Sequence, residues 1–404
     1  MPELVDFGQI VLLVSGVLLL AVASNKFSEW VPLPAPAIFL VAAAITSDVF
    51  PRLERYLSIR DVERIAVIAL LVILFDGGMR IGWRRFREAA APIVSLGLLG
   101  TFATAGLMTL ASHFVIGFGW TTSGILGAAV APTDPAVMFS VLGRHEVPGR
   151  TGTILEGESG ANDPVGIALM IGMLEFATHA DASFWIVIEE FAIEMSVGLA
   201  VGAAGAWLLL ALIRRISLVE ESLYPLWILL AAGTIYGAAS VAHGSGFLAV
   251  FVAGILVGDA RLPQRRQVER FQTSLSSLAE IVVFVALGLT IHLGFVGYDW
   301  LWAKGLILAL ILAFVARPAV VAALLYPARL DRGERVFVMW AGLKGAVPIL
   351  LAAFALIAGA GEAGRIYAIV FVVVAFSVVL QGATIPFAAR RLGIEMRPTE
   401  GEAS

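Results

Sequence analysis

The stretch EGESGANDP, Glu156 to Pro164, puts two glutamates, a serine, an asparagine and an aspartate into an apolar run. That run, Thr151 to Thr178, holds no lysine or arginine and otherwise has the composition of one membrane-spanning helix. Ionisable residues at membrane depth are costly, and where they occur they mark a pathway or a relay. This stretch bears on both the fold class and the chemistry.

The chain has 404 residues, 59% of them hydrophobic and only 14% charged, and a mean hydropathy of +0.93. An ordinary soluble domain is excluded. Apolar runs of about 17–25 residues, each long enough for a hydrocarbon core, recur along the whole length. The expectation is an all-α polytopic membrane protein of about 13 transmembrane helices. The first run, near Gly8 to Ala23, follows Glu3 and Asp6 and reads as a retained helix, since a signal peptide would open with basic residues. There is no cysteine, so thiol metal and redox chemistry are absent. The net charge of −4 gives no reason to expect a nucleic-acid partner.

Basic residues set the orientation. Arg84, Arg85 and Arg87, then Arg214 and Arg215, then Arg265, Arg266 and Arg270 all fall on one side of the expected topology. By the positive-inside bias that side is cytoplasmic, with the N-terminus outside and the C-terminus inside. A membrane domain over 1–392 and a short cytoplasmic tail over 393–404 follow. Only Arg317 and Lys344 fall inside apolar segments.

Two expected spans are interrupted. APTDPAV, Ala131 to Val137, has Pro132 and Pro135 around Thr133 and Asp134, and two prolines so close break a helix. AGLKGAVPI, Ala341 to Ile349, has Gly342, Gly345 and Pro348 around Lys344. With the seventh span set aside, the chain divides into two six-helix halves of opposite orientation, with the fifth and twelfth spans in matching positions. Paired interrupted helices in an inverted repeat point to a transport site.

With Glu158 taken as zero on a helix, Ser159, Asn162 and Asp163 lie at about 100°, 40° and 140° and share one face. Carboxylate, hydroxyl and carbonyl oxygens suit a small hard cation. Burial favours the neutral form of a carboxylate and a nearby cation favours the ionised form. One acid can therefore hold a proton or a cation in turn, and counter-transport follows. Alternatives remain for each group. Asp163 is either this carrier or an ion-pair partner of Arg317 or Lys344. Glu158 is either a ligand or a brace, with a pair to Arg317 favoured. Asp134 lies beside the ion or against Lys344. Glu156 lines the site or plays a structural part.

An intramembrane enzyme is disfavoured, since neither HExxH nor GxGD occurs. A passive cation channel would not need an acid poised between proton and cation.

GESGANDP resembles the Glu-Ser-x-x-Asn-Asp signature of the NhaP/NHE kind of monovalent cation:proton antiporter, cation/proton antiporter family 1. APTDPA, LFDGGMR from Leu74, FLAVFVAGILVGD from Phe247 and GLKGAVPI from Gly342 also resemble motifs of that family, in order. The resemblance implies the NhaA/NhaP-like antiporter fold, with two discontinuous crossing helices and usually a homodimer. A core near 91–178 and 300–390 would move against dimerisation helices near 8–75 and 184–296 in an elevator-type cycle.

The same resemblance makes Asp163 the shared carrier, with Glu158, Ser159 and the Thr133 carbonyl as cation ligands. It pairs Arg317 with the glutamate of the sixth span. Asn162 stands where electrogenic relatives have an acid, which implies electroneutral one-for-one exchange. Lys344 departs from the more usual arginine and loses a bidentate fork. The implied substrates are H⁺ with Na⁺ or Li⁺, and no cofactor. The wording FDGGMR and GLKGAVPI is similar to bacterial potassium/proton antiporters, which makes K⁺ the alternative. Such members typically carry a further cytoplasmic regulatory domain. A bacterial or archaeal plasma membrane is the expected location.

Overall fold

In a computed structural model of the protein, the described residues are 34–49, 58–134, 145–178, 184–216, 218–328 and 330–398, with isolated positions near the N-terminus and between 137 and 142. Most of the expected first span, Pro135, His179 and the tail from 399 lie outside them. Seven helices among the described residues are long and apolar enough to cross a membrane, and Ala35–Val49 and Gly246–Gly258 are shorter apolar helices. The Glu158 helix, Gly149–Thr178, is one 30-residue helix with Pro164 inside it. A two-residue antiparallel pairing of His145–Glu146 with Arg397–Pro398 is the one extended element described.

The third and fourth expected spans form one continuous helical path, Ile59–Val94 running on through the π-helical turn Ser95–Gly100 into Thr101–Ala111. The path is nevertheless two segments, because the backbone leaves helical geometry at Gly82, with φ 66° and ψ 161°. Only glycine adopts that conformation readily. The Asp259 carboxylate fills the space where a side chain would stand and accepts the Arg84 amide at 2.6 Å. It thus serves as the N-terminal cap of the second segment.

This contact also fixes one end of the molecule. Arg265 donates to the Gly258 carbonyl at 2.7 Å, and the Gln264 amide reaches Glu221 in the loop after Arg214 and Arg215. The basic clusters beginning at Arg84, Arg214 and Arg265 therefore gather at a single end of the bundle. Arg85 joins the start of the Gly149–Thr178 helix to that end by donating to the Thr153 hydroxyl at 3.2 Å.

Both expected interruptions are present. Trp120–Val130 stops before Pro132, and the chain through Asp134 is non-helical. Arg332–Ala341 ends at Gly342, and helix resumes as Ala346–Ile357 after Gly345. The two irregular stretches cross, and the Asp134 amide donates to the Leu343 carbonyl at 2.8 Å. Irregular backbone at this depth is tolerated because protein covers it and supplies its partners.

Ile59–Val94 packs tightly on Gly246–Gly258 through small residues, the usual means of close helix approach in a membrane. A Cβ on Gly254 would stand 2.5 Å from the Phe75 carbonyl and 3.2 Å from the Gly78 Cα. Gly254→Val should therefore destabilise the fold by about 1–3 kcal/mol through overpacking, read as a lower melting temperature in detergent. An unchanged melting temperature would mean that these helices separate without cost.

Candidate ion-binding site

Glu158, Ser159, Asn162 and Asp163 are all buried on the Gly149–Thr178 helix. The helix brings them against the broken stretch that follows Trp120–Val130, and the bonds between the two are specific. The Thr133 amide donates to Asn162 Oδ1 at 3.2 Å, and Asn162 Nδ2 donates to the Thr133 hydroxyl at 2.7 Å. The Ser159 hydroxyl donates to the Thr133 carbonyl. Asn162 is thus a two-point clamp on the unwound residue. Because the Ser159 proton is used on Thr133, its oxygen lone pairs remain for a cation.

The two intramembrane basic residues have found other partners than Asp163. Arg317 and Glu158, 5% and 1% exposed, form a bidentate pair in which Nη1 meets Oε1 and Nη2 meets Oε2, the latter at 2.8 Å. Arg317 follows a π-helical turn, Leu312–Ala316, a local widening often found at functional positions. Both Glu158 oxygens accept from Arg317, so Glu158 braces the helix through the pair that the sequence favoured. The fork geometry of the guanidinium is what makes the pair bidentate.

Lys344 donates to the Ala131 and Pro132 carbonyls at 2.7 and 2.8 Å. These carbonyls belong to the C-terminal end of the Trp120–Val130 helix, where the dipole is negative and a cation is favoured. The Asp134 carboxylate lies directly over Gly345, at the N-terminal end of Ala346–Ile357, where a Cβ would collide with it. That end is positive. Each charge at the crossing thus faces the opposite pole of the other broken helix.

Asp163 is 5% exposed. Among the described residues its Oδ1 has no hydrogen-bond partner, and no ion pair joins it to Arg317 or Lys344. Asp163 lines a cavity of about 380 Å³, together with Ser159, Asp134 and Glu156. The cavity runs from Asp163 toward the end that gathers the basic clusters, where Glu156 lies 3.7 Å from Arg85. The site therefore joins an acid with an unbonded oxygen and a hydroxyl with free lone pairs on the cavity lining, beside the unwound Thr133 whose carbonyl accepts the Ser159 proton.

The transmembrane family described as "Sodium/hydrogen exchanger, transmembrane" matches residues 13–391. The chain belongs to this sodium/hydrogen exchanger family. This exchanger is 34% identical over 400 residues to the K(+)/H(+) antiporter NhaP of Alkalimonas amylolytica, covering 96% of this chain and 68% of that one. It is 31% identical over 390 residues to the K(+)/H(+) antiporter NhaP2 of Shewanella sp. strain ANA-3, covering 95% and 67%. Its fold matches the sodium proton antiporter MjNhaP1 of Methanocaldococcus jannaschii with a TM-score of 0.78 at 23% identity, over 95% of this chain and all of that one. It is an integral membrane transporter of the cation/proton antiporter class, and the enzyme reading falls away.

Sequence reasoning did not assign Arg80 or the hydroxyl-bearing face of Arg265–Gly288 to the site, yet both line the cavity. Asp76 is fixed by Arg80, at 2.9 Å from Nε and 2.7 Å from Nη2. The i,i+4 spacing of that pair was a usable signal.

Removing one partner of a buried pair strands the other charge and costs about 3–5 kcal/mol. Arg317→Ala should therefore lower the melting temperature in detergent markedly, and Arg317→Ala combined with Glu158→Ala should cost less than the two single changes added together. Strict additivity would contradict the pairing.

Proposed function

We propose that the exchanger moves one H⁺ against one monovalent cation, with Asp163 as the carrier of both. The observation that carries this reading is Asp163 on the cavity lining, with a buried Oδ1 that has no hydrogen-bond donor among the described residues. An ionised carboxylate in that position needs either a proton or a metal cation to cross the membrane interior. The two neutral forms are the two loaded legs of the cycle, and the empty charged form is the state that does not cross. Asn162 contributes no charge, which favours electroneutral one-for-one exchange.

In this reading the cation is held by Asp163, the Ser159 oxygen and the Thr133 carbonyl, with Asp134 nearby, while Asn162, Arg317, Glu158 and Lys344 keep the pieces in place. The ligand motif is compatible with Na⁺ or Li⁺. The relatives of 34% and 31% identity are named as K⁺/H⁺ antiporters, which favours K⁺ as the principal cation. Core helices near 91–178 and 300–390 would move against a dimerisation scaffold near 8–75 and 184–296 in an elevator-type cycle, in a homodimer embedded in lipid. The clustering of arginines at the cavity end supports a cytoplasmic position for that end, in a bacterial or archaeal plasma membrane, with the N-terminus outside.

The test is transport in proteoliposomes holding an imposed pH gradient. K⁺, Na⁺ or Li⁺ should dissipate the gradient without a membrane potential, and Asp163→Asn should abolish the effect while the protein stays folded. Retained cation-driven proton flux in that variant would remove Asp163 from the central role.

A further inference from the structure

The cavity that ends at Asp163 has a second wall whose chemistry the exchange reading leaves unused. Arg265–Gly288 turns Thr273, Ser277 and Glu280 toward it, positions three or four apart on one helical face. Glu280 stands fifteen residues past Arg265, roughly 22 Å along the axis, and Asp163 stands fourteen past Gly149, roughly 21 Å, at 1.5 Å per residue. Both helices start at the basic end, so the two carboxylates reach a similar depth on opposite walls of one cavity.

The acids nearer the mouth have cationic neighbours. Asp76 is bonded to Arg80, and Glu156 lies near Arg85. Glu280 is different. Its Oε1 is shielded from solvent and receives no hydrogen bond among the described residues. The charges that act on it are Asp134, which repels it, and Arg80, which is already bonded to Asp76. Beside it the Ser277 hydroxyl donates to the Thr273 carbonyl at 3.0 Å, so the Ser277 lone pairs are free to accept a cation. A half-buried carboxylate whose shielded Oε1 has no donor, on the same helical face as an exposed hydroxyl, is costly unless a mobile ion visits it.

We infer that Glu280 and the Ser277 hydroxyl form a waiting site for a partly hydrated monovalent cation in the access cavity, from which the ion passes to Asp163. The inference rests on the exchange reading above. Glu280 is a positioning residue for the ion and takes no part in carrying the proton. Because it stands on a different helix from Asp163, it serves the ion only from the side to which this cavity opens. The lining carries five carboxylates against Arg80 alone, and a predominantly acidic cleft with low-dielectric walls raises the local cation concentration about tenfold or more, so the site acts on apparent affinity and leaves the turnover step alone.

The measurement is the initial rate of K⁺-driven proton flux in oriented vesicles, with K⁺ supplied from either side. Glu280→Gln should raise the apparent KM for K⁺ on the cavity side about tenfold. It should leave the maximal rate within about twofold and leave the KM on the other side unchanged, and Glu280→Asp should restore most of the loss. An unchanged KM on both sides, an equal rise on both sides, or a collapse of the maximal rate that Glu280→Asp does not rescue would each overturn the inference. A second readout is independent of transport. The chain has no cysteine, so Ser276→Cys, on the same cavity lining, introduces a single thiol beside the site, and K⁺ should slow its modification by a charged methanethiosulfonate reagent. Modification at the same rate with and without K⁺ would also overturn the waiting site. If the unsubstituted protein exchanges none of K⁺, Na⁺ or Li⁺, the exchange reading itself fails. A normal exchange rate with no effect of Glu280→Gln removes the waiting site alone.

Discussion

The bidentate grip of Arg317 on Glu158 and the seat of Lys344 on the Ala131 and Pro132 carbonyls decide what Asp163 can do. A membrane protein with two intramembrane cations and several intramembrane acids has an easy route to neutrality, which is to pair them all. Here both cations are committed elsewhere. Arg317 fastens the Glu158 helix to the helix that follows Leu312–Ala316. Lys344 satisfies the open end of a broken helix. Asp163 is left on the cavity lining with its Oδ1 unbonded among the described residues, and in the proposed exchange the transported proton or cation neutralises it.

The crossing of the two broken helices makes that arrangement stable enough to persist. Each interruption exposes helix-end carbonyls or amides that would be costly in hydrocarbon. The crossing sets Lys344 against one helix C-terminus and Asp134 against the opposing N-terminus, and the Asp134 amide bonds the Leu343 carbonyl between them. The Thr133–Asn162 clamp then ties this crossing to the helix that bears Asp163. The candidate ion site is therefore a by-product of how two helix breaks satisfy each other, with Ser159 and Asp163 set at the junction.

Much of this was legible in the sequence because its causes are local. Apolar runs announce spans, Pro132 and Gly345 announce breaks, and the spacing of Glu158, Ser159, Asn162 and Asp163 announces a shared face. The Arg317–Glu158 pair was also accessible, since Arg317 is one of two intramembrane basic residues and few acids lie at its depth. The seat of Lys344 was not, because its partners are backbone carbonyls, and every residue has one. The sequence pattern pointed to an acidic partner, and nothing in residue identity distinguishes Ala131 and Pro132 as acceptors. Glu280 shows the same limit in another form. It is visible as an acid in a span, but its depth relative to Asp163 depends on how two helices from different halves pack. Gly82 is a third case, where a single residue with φ 66° turns one apolar path into two segments, and the capping Asp259 lies far away in the chain.

The central claim is that one carboxylate binds the proton and the cation in alternation. Proton release upon cation binding tests it most directly, measured with the purified protein in weakly buffered detergent solution as K⁺ or Na⁺ is added near neutral pH. The account predicts close to one proton released for each cation bound, and none from Asp163→Asn. Cation binding without proton release, or an undiminished release from Asp163→Asn, would contradict it.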